Sequence, residues 1–250
     1  MRCVPAILAC LLLAAPALAI TGNAPPANGW SGLAIVMVID ARGDLCTGTA
    51  IARDLVLTAA HCVARKRDDK VKIFQNGQTI GVQSYAIHPQ FNAANYARAR
   101  ATADLALLKL MAPLPESVVP AKLAASRRVS VGEKLVIAGF GVSAEGSARG
   151  LGVPRAATLT VIGNPGSLQI RLVDAVAGDH RPGLGACVGD SGAPVFEPGV
   201  PNMLGIVSWS TAPNDEEGCG GLTGVTPLLV YRGWIEETAQ KLGASLQSGR

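Results

Sequence analysis

Short apolar runs bounded by turn residues recur through most of the chain, and they restrict its fold more than any other feature. Twelve such runs follow residue 30 and fall into two groups of six. Their residues are 33–39, 45–51, 55–58, 71–74, 79–87 and 104–110 in the first group, and 134–140, 156–162, 168–172, 194–196, 203–209 and 223–226 in the second. No long helical pattern separates the runs of a group. The sequence therefore predicts an all-β fold of two antiparallel six-stranded β-barrels packed together.

A helical pattern is convincing only near the end of the chain. Leu229, Ile235, Ala239 and Leu242 can share one apolar face of a helix over about 228–242. We therefore predict that the two barrels are followed by a C-terminal α-helix.

The composition agrees with a turn-rich β protein. Apolar residues make up 49% of the 250 residues and charged residues 16%, with 29 Gly and 16 Pro. This balance argues against disorder and against a long coiled coil. The net charge is +4, and the basic run at 65–67 is followed at once by two aspartates. We therefore expect no nucleic-acid partner.

The N-terminus is typical of a secretory signal peptide. One basic residue precedes an apolar stretch that ends in small residues, and cleavage after Ala17 or after Ala19 fits the pattern. Two prolines interrupt the stretch, whereas spanning a bilayer takes about 20 clean apolar residues. We predict a signal peptide at 1–19, a secreted domain at 20–250, extracellular or periplasmic, and no membrane association after the signal is removed.

Export determines how the cysteines are interpreted. Two of the six leave with the signal peptide, so Cys46, Cys62, Cys187 and Cys219 remain. Four cysteines allow three disulfide connectivities, and their spacing alone does not choose among them. No close pair of Cys and His has the spacing of a zinc site, so we expect disulfides and no metal.

Three separate motifs carry candidate catalytic side chains. Ser191 lies between glycines in Gly-Asp-Ser-Gly, His61 follows Thr-Ala-Ala, and Asp104 precedes an apolar strand. A serine hydroxyl is a weak nucleophile until a base removes its proton, and a histidine that titrates near neutral pH suits that role. The order His61, Asp104, Ser191 is one of the chain orders found for a base, an orienting acid and a nucleophile. The chain's other mature histidines, His88 and His180, are expected in surface turns or loops.

At these motifs the sequence resembles the chymotrypsin/trypsin-like serine peptidases, over almost the whole chain after the first twenty residues. The resemblance implies a secreted serine endopeptidase of chymotrypsin-like fold. Its first barrel would cover about 30–112, its second about 121–228 and its helix about 228–242. We expect protein or peptide substrates, no cofactor, and a monomer.

The resemblance also assigns roles to the three motifs. Ser191 would attack a carbonyl and form an acyl-enzyme, His61 would take and return the proton, and Asp104 would orient the imidazole. The backbone N–H groups of Gly189 and Ser191 would form the oxyanion hole. The implied disulfides are Cys46–Cys62 and Cys187–Cys219.

Specificity and activation are inferred in the same way. Gly185 would lie at the floor of the primary substrate pocket, the segment Ser208-Trp209-Ser210 would form one wall, and Gly224 would leave the opposite wall open. A floor without a carboxylate implies cleavage after uncharged or apolar residues.

In such peptidases a new N-terminus inserts beside the aspartate that precedes the nucleophile, which implies the activation pair Ile20 and Asp190. Two other functions stay open at this point: a peptidase-like binding protein without turnover, and an acyl hydrolase that does not act on peptides. Such silent relatives usually lack one of the three catalytic residues, whereas this sequence has all three.

Overall fold

The computed structural model describes residues 20–246, except 28, 41, 65–69, 73–76, 99, 125–126 and 149. The predicted signal peptide at 1–19 lies outside the described residues. Within them the strands are β1 (Ile35–Ile39), β2 (Leu45–Ala52), β3 (Leu55–Thr58), β4 (Lys70–Lys72), β5 (Thr79–Ile87), β6 (Ala106–Leu110), β7 (Lys122–Leu123), β8 (Lys134–Gly139), β9 (Arg155–Gly163), β10 (Ile170–Val173), β11 (Pro194–Phe196), β12 (Asn202–Ser210) and β13 (Thr223–Pro227). The helices are α1 (Trp30–Leu33), α2 (Ala60–Val63), α3 (Ala93–Tyr96) and α4 (Arg232–Lys241).

The first six strands close into a barrel in the order β1-β2-β3-β6-β5-β4. Every neighbouring pair is antiparallel. Successive side chains of a strand point to opposite faces, so each strand can supply alternate residues to the interior. Val36 and Val38 of β1, Val56 of β3 and Leu108 of β6 belong to one buried cluster. This cluster forms the interior of the first barrel.

The remaining strands form a second sheet in the order β11-β8-β9-β10-β13-β12-β7. β11 also pairs with β12, so that the six strands from β8 to β13 close on themselves. The two-residue strand β7 lies parallel to β12 at the edge, where Asn202 is opposite Lys122. Leu135, Leu159 and Leu172 lie in the core of this sheet.

A further buried cluster joins the two halves and the C-terminal helix. It contains Leu57 and Leu107 from the first barrel, Phe140 and Phe196 from the second sheet, and Ile235 from α4. The two barrels therefore pack against each other, and α4 covers part of their shared core. The predicted all-β class, with two barrels and a C-terminal helix, is confirmed.

The C-terminal helix begins at Arg232, later than the position 228 expected from its apolar pattern. The preceding residues form a turn instead, in which the Tyr231 N–H donates to the Leu228 carbonyl at 3.0 Å. The Leu228 N–H is used by the sheet, since it donates to the Leu204 carbonyl at 2.8 Å. Among the residues described, no helix combines the length and the apolar character needed to cross a membrane.

Candidate active site

The register of the first barrel brings His61 and Asp104 together. His61 lies in α2, directly after β3, and Asp104 lies just before β6. β3 and β6 are antiparallel neighbours with Thr58 opposite Ala106, so the end of one lies beside the start of the other. His61 Nδ1 is 2.8 Å from Asp104 Oδ2, and the His61 backbone N–H donates to Asp104 Oδ1 at 2.9 Å. The carboxylate thus fixes both the ring and the backbone of His61.

Asp104 is fully buried, with 0% of its surface exposed. Its Oδ2 accepts a further hydrogen bond from the Ser208 hydroxyl of β12, at 2.6 Å. Burying a charge is costly unless hydrogen bonds compensate it, and these three donors supply that compensation. The sequence predicted Ser208 as a substrate-binding residue. Its side chain contacts Asp104, and the residue also lines the cavity beside Ser191.

The loop that carries Ser191 is tied to the first barrel at Thr47 of β2. The Thr47 N–H donates to the Ser191 carbonyl at 2.9 Å, and the Thr47 hydroxyl donates to the Gly189 carbonyl at 2.8 Å. Gly192 has φ 81°, and a Cβ there would overlap the Thr47 carbonyl and the Thr58 hydroxyl. Only glycine lets the chain pass so close to the first barrel.

The N–H groups of Gly189 and Ser191 have no acceptor within the described part of the chain. Gly189 has φ 97°, a conformation that favours glycine. Both residues line the cavity beside Ser191.

The structure does not join Ser191 to His61 by a hydrogen bond, as far as the described residues show. His61 Nε2 lies 3.7 Å from Cys62 Sγ. Catalytic hydrogen bonds are often long without substrate and shorten only in the complex.

A cavity of about 400 Å³ opens beside Ser191. Three of the five predicted substrate-binding residues line it, namely Ser208, Trp209 and Ser210. Gly185 and Gly224 are not among its lining residues.

Gly185 packs against Gly220 and Thr223, 3.3–3.5 Å from where its Cβ would be. A Cβ at Gly224 would overlap the indole of Trp209. The wall expected to be open at Gly224 is therefore covered by Trp209, whose ring orientation the sequence did not reveal.

Two carboxylates that the sequence analysis did not assign also line this cavity. Glu145 follows β8 and Glu217 precedes β13, and both side chains are exposed. Neither has an ion-pair or hydrogen-bond partner among the described residues. Both lie in polar loops, and nothing in the local sequence pattern indicated their approach to the cavity.

The disulfide pairing implied by the resemblance is confirmed. Cys46 of β2 bonds Cys62 of α2, with a Cα–Cα distance of 6.3 Å. Cys187, four residues before Ser191, bonds Cys219, with a Cα–Cα distance of 5.0 Å. Cys46, Cys62 and His61 are the one group of possible metal ligands within the described residues. Both sulfurs are used by the disulfide, so neither offers a thiolate.

Asp190, in the loop before β11, is buried with 0% of its surface exposed. Its carboxylate accepts hydrogen bonds from the N–H groups of Gly141 at 2.8 Å and Cys187 at 2.9 Å. Burial raises the pKa of Asp190 to about 7. Ile20 is also fully buried, in a cluster that includes Ala186 and Ala193 on either side of Asp190.

Three aromatic contacts of the histidines were not found from sequence. Tyr96 stacks on the imidazole of His61, with ring centroids 4.1 Å apart. His88 was expected at the surface, but only 7% of it is exposed. Its ring lies 5.0 Å from that of Tyr231 and 4.8 Å from that of Trp234. The helix α4 buries His88, which the local Ile-His-Pro sequence could not show.

Comparison with known proteins agrees with the fold. A family profile described as Trypsin matches residues 20–235. Among similar sequences, the snake venom serine protease rhinocerase 4 of Bitis rhinoceros is 28% identical, over 80% of both chains. Trypsin of Sarcophaga bullata is 27% identical, over 81% of this chain and 82% of its own. Human kallikrein-15 is 29% identical, over 78% of this chain and 82% of its own.

Among solved structures, neuropsin, a serine protease of mouse brain, superposes with a TM-score of 0.69 at 23% identity. The superposition covers 86% of this chain and 98% of neuropsin. This likeness supports the chymotrypsin-like fold. The fold and the family together define a serine endopeptidase, a hydrolase whose substrates are proteins or peptides. The chain belongs to the trypsin family.

Proposed function

We propose that this endopeptidase cleaves peptide bonds through a triad of Ser191, His61 and Asp104. The observation that carries the proposal is the contact of His61 Nδ1 with the buried Asp104 carboxylate at 2.8 Å. Because Asp104 accepts the Nδ1 proton, Nε2 of the neutral ring is left with a lone pair. That nitrogen is the base available to Ser191.

The reaction proceeds in two halves. Ser191 Oγ forms a bond to the substrate carbonyl carbon as its proton passes to His61 Nε2. The imidazolium then gives this proton to the amine as the peptide C–N bond breaks, which leaves an acyl-enzyme. Water repeats the sequence, with His61 as base and then as acid, and releases the carboxylic acid product.

The oxyanion of each tetrahedral intermediate is bound by the N–H groups of Gly189 and Ser191. Donors fixed in advance toward this oxygen contribute about 3–4 kcal/mol each to catalysis. Thr47 supports them, because its hydroxyl and its N–H each hold a carbonyl of the same loop.

Labelling with a fluorophosphonate probe tests the triad. The wild-type protein is expected to be labelled at Ser191, and both Ser191→Ala and His61→Ala are expected to lose labelling while remaining folded. Ser191→Ala should keep the wild-type melting temperature, whereas His61→Ala should melt lower because the buried Asp104 loses its Nδ1 donor. A folded wild-type protein that is not labelled would favour the alternative of a binding protein without turnover. Turnover of ester substrates but not of peptides would favour a non-peptidase acyl hydrolase.

The proposed specificity is cleavage after uncharged or apolar residues. Ala186, Val207 and Trp209 line the cavity beside Ser191. Position 185, where a carboxylate would select basic substrate side chains, is a glycine. Glu145 and Glu217 lie at exposed positions of the lining, where water and salt screen their charge. Trp209 covers Gly224 and so narrows the substrate pocket. This favours substrate side chains of moderate size, such as Leu and Met.

A peptide library with every residue at the cleaved position tests this specificity. The expected profile is dominated by apolar residues and unchanged in Glu217→Gln. A profile dominated by Lys and Arg, lost in Glu217→Gln or Glu145→Gln, would assign the specificity to the carboxylates instead.

The proposal for the chain's processing is export as a monomer, removal of residues 1–19, and activation by the terminus this creates. Ile20 is buried, and Thr21 pairs with Gly185, its N–H donating to the Gly185 carbonyl at 3.1 Å. A free ammonium at Ile20 would supply a counter-charge to buried Asp190. No separate precursor stage is then needed, because signal peptidase itself releases the activating residue.

A further inference from the structure

The aromatic ring of Tyr96 lies face to face with the imidazole of His61. The ring centroids are 4.1 Å apart and the planes are inclined by 16°. Asp104 holds the Nδ1 edge of the same imidazole, so one contact fixes an edge of the ring and the other covers a face. We infer that Tyr96 is a positioning residue for the catalytic base. The inference rests on the proposed triad.

The loop that carries Tyr96 is closed by its own hydrogen bonds. Asn92 caps α3, its side-chain oxygen accepting from the N–H groups of Ala94 at 2.9 Å and Asn95 at 3.0 Å. The Asn92 N–H donates to the Thr102 hydroxyl at 2.7 Å. Thr102 lies two residues before Asp104, so one closed loop delivers the stacking ring to one face of His61 and the carboxylate to its edge.

The stack has a different strength at different stages of the reaction. His61 is neutral before attack and becomes an imidazolium as it takes the Ser191 proton. A cation over the face of an aromatic ring is attracted by the ring's negative face, and more strongly when it is shielded from water. Only 15% of the His61 side chain is exposed. Tyr96 therefore stabilises the form of His61 that exists in the transition state more than the resting form, which accelerates the chemical step.

Tyr96 also lines two cavities. One, of about 400 Å³, lies beside Ser191, and the other, of about 510 Å³, is also lined by His61 and the Cys46–Cys62 disulfide. A change at Tyr96 can therefore alter substrate binding as well as the base. The test needs a measurement of kcat apart from KM, and a reagent that occupies little of either cavity.

Three variants distinguish the effect of the aromatic ring from the effect of the hydroxyl and from the effect of side-chain size. Tyr96→Phe keeps the ring, Tyr96→Leu keeps bulk without a ring, and Tyr96→Gln is a second ring-free variant in case Leu impairs folding. Phe91→Leu is the matched control, because Phe91 lies in the same loop and contacts Tyr96, with centroids 6.5 Å apart. Melting temperature establishes that each variant is folded.

Removal of the ring is expected to lower kcat, and the rate of Ser191 labelling by a small fluorophosphonate, about tenfold, with a smaller change in KM. Tyr96→Phe and Phe91→Leu are expected to stay within about threefold of wild type. The proton resonances of the His61 ring should carry an upfield ring-current shift in wild type and Tyr96→Phe that is absent from Tyr96→Leu.

Labelling of folded Tyr96→Leu or Tyr96→Gln at the wild-type rate overturns the inference and leaves the triad intact. Equal losses in Tyr96→Phe and Tyr96→Leu also overturn it, since the hydroxyl would then be the important group. Failure of wild type itself to be labelled at Ser191 instead contradicts the proposed function.

Discussion

The Ser208 hydroxyl of the second sheet donates to Asp104 Oδ2 of the first barrel at 2.6 Å. This hydrogen bond crosses the contact between the two barrels and reaches the residue that orients His61. The position of His61, the proposed base, therefore depends on how the barrels pack, as well as on the register between β3 and β6.

Replacing Ser208 by alanine should weaken the orientation of Asp104. The carboxylate keeps its two contacts with His61 but loses its third donor, and losing a hydrogen bond to a buried charge costs about 1.5–3 kcal/mol. We expect a lower melting temperature and about a tenfold lower kcat, with KM nearly unchanged. Steady-state kinetics check this, with Ser210→Ala as the control, since Ser210 Oγ donates to the Gly218 carbonyl and not to the triad. A loss confined to KM would show that Ser208 acts on substrate alone.

The N-terminus of the mature chain should change how stability depends on pH. With residue 19 still attached, Asp190 has a pKa raised by burial to about 7, above its ordinary 3.8. A raised carboxyl pKa means that the folded state favours the protonated form, so its contribution to stability is lost as pH rises from about 4 to 7. An ammonium at Ile20 removes this loss by pairing with the ionised form.

Two forms in a Ser191→Ala background measure this effect, one beginning at Ile20 and one at Leu18. Their melting temperatures are expected to be close at pH 5 and clearly apart at pH 7.5, with the Leu18 form lower. Asp190→Asn in the Leu18 form should abolish the loss of melting temperature that Asp190 causes between pH 5 and pH 7.5. The same difference at both pH values, or full activity of the wild-type Leu18 form, would contradict the activation pair.

His88 should destabilise the fold in mild acid. Burial against Tyr231 and Trp234 lowers the pKa of His88 below its ordinary 6.5. The folded state thus favours the neutral ring, and this contribution to stability is complete above about 6.5 and is lost as pH falls through the lowered value. Wild type should therefore lose more melting temperature between pH 7 and pH 5 than His88→Asn. The Gln90 N–H donates to His88 Nδ1 at 3.2 Å, and the asparagine side-chain oxygen can accept the same hydrogen bond. His180→Asn is the control, since 81% of that side chain is exposed. Equal losses in wild type and His88→Asn would be inconsistent with a buried neutral ring.

Much of this fold could be predicted because each strand is a short apolar run that ends at turn residues. His61 and Asp104 each lie in a motif at the end of a predicted strand. The register between β3 and β6 brings these two strand ends together. Three further features illustrate what could not be predicted. The stacking of Tyr96 on His61 depends on a loop closed by Thr102, and the sequence of that loop has no apolar periodicity. The cover over Gly224 depends on the side-chain orientation of Trp209, and α4 starts late because Leu228 is bonded to the sheet.

The central claim is that Ser191 and His61 act as one catalytic unit, and a double-mutant kinetic cycle tests it most directly. Peptide turnover is measured for wild type, Ser191→Ala, His61→Ala and the double variant, with melting temperatures to establish folding. Because members of such a unit fail together, the double variant is predicted to be scarcely slower than either single variant. Additive losses, or appreciable turnover by purified Ser191→Ala, would contradict the account.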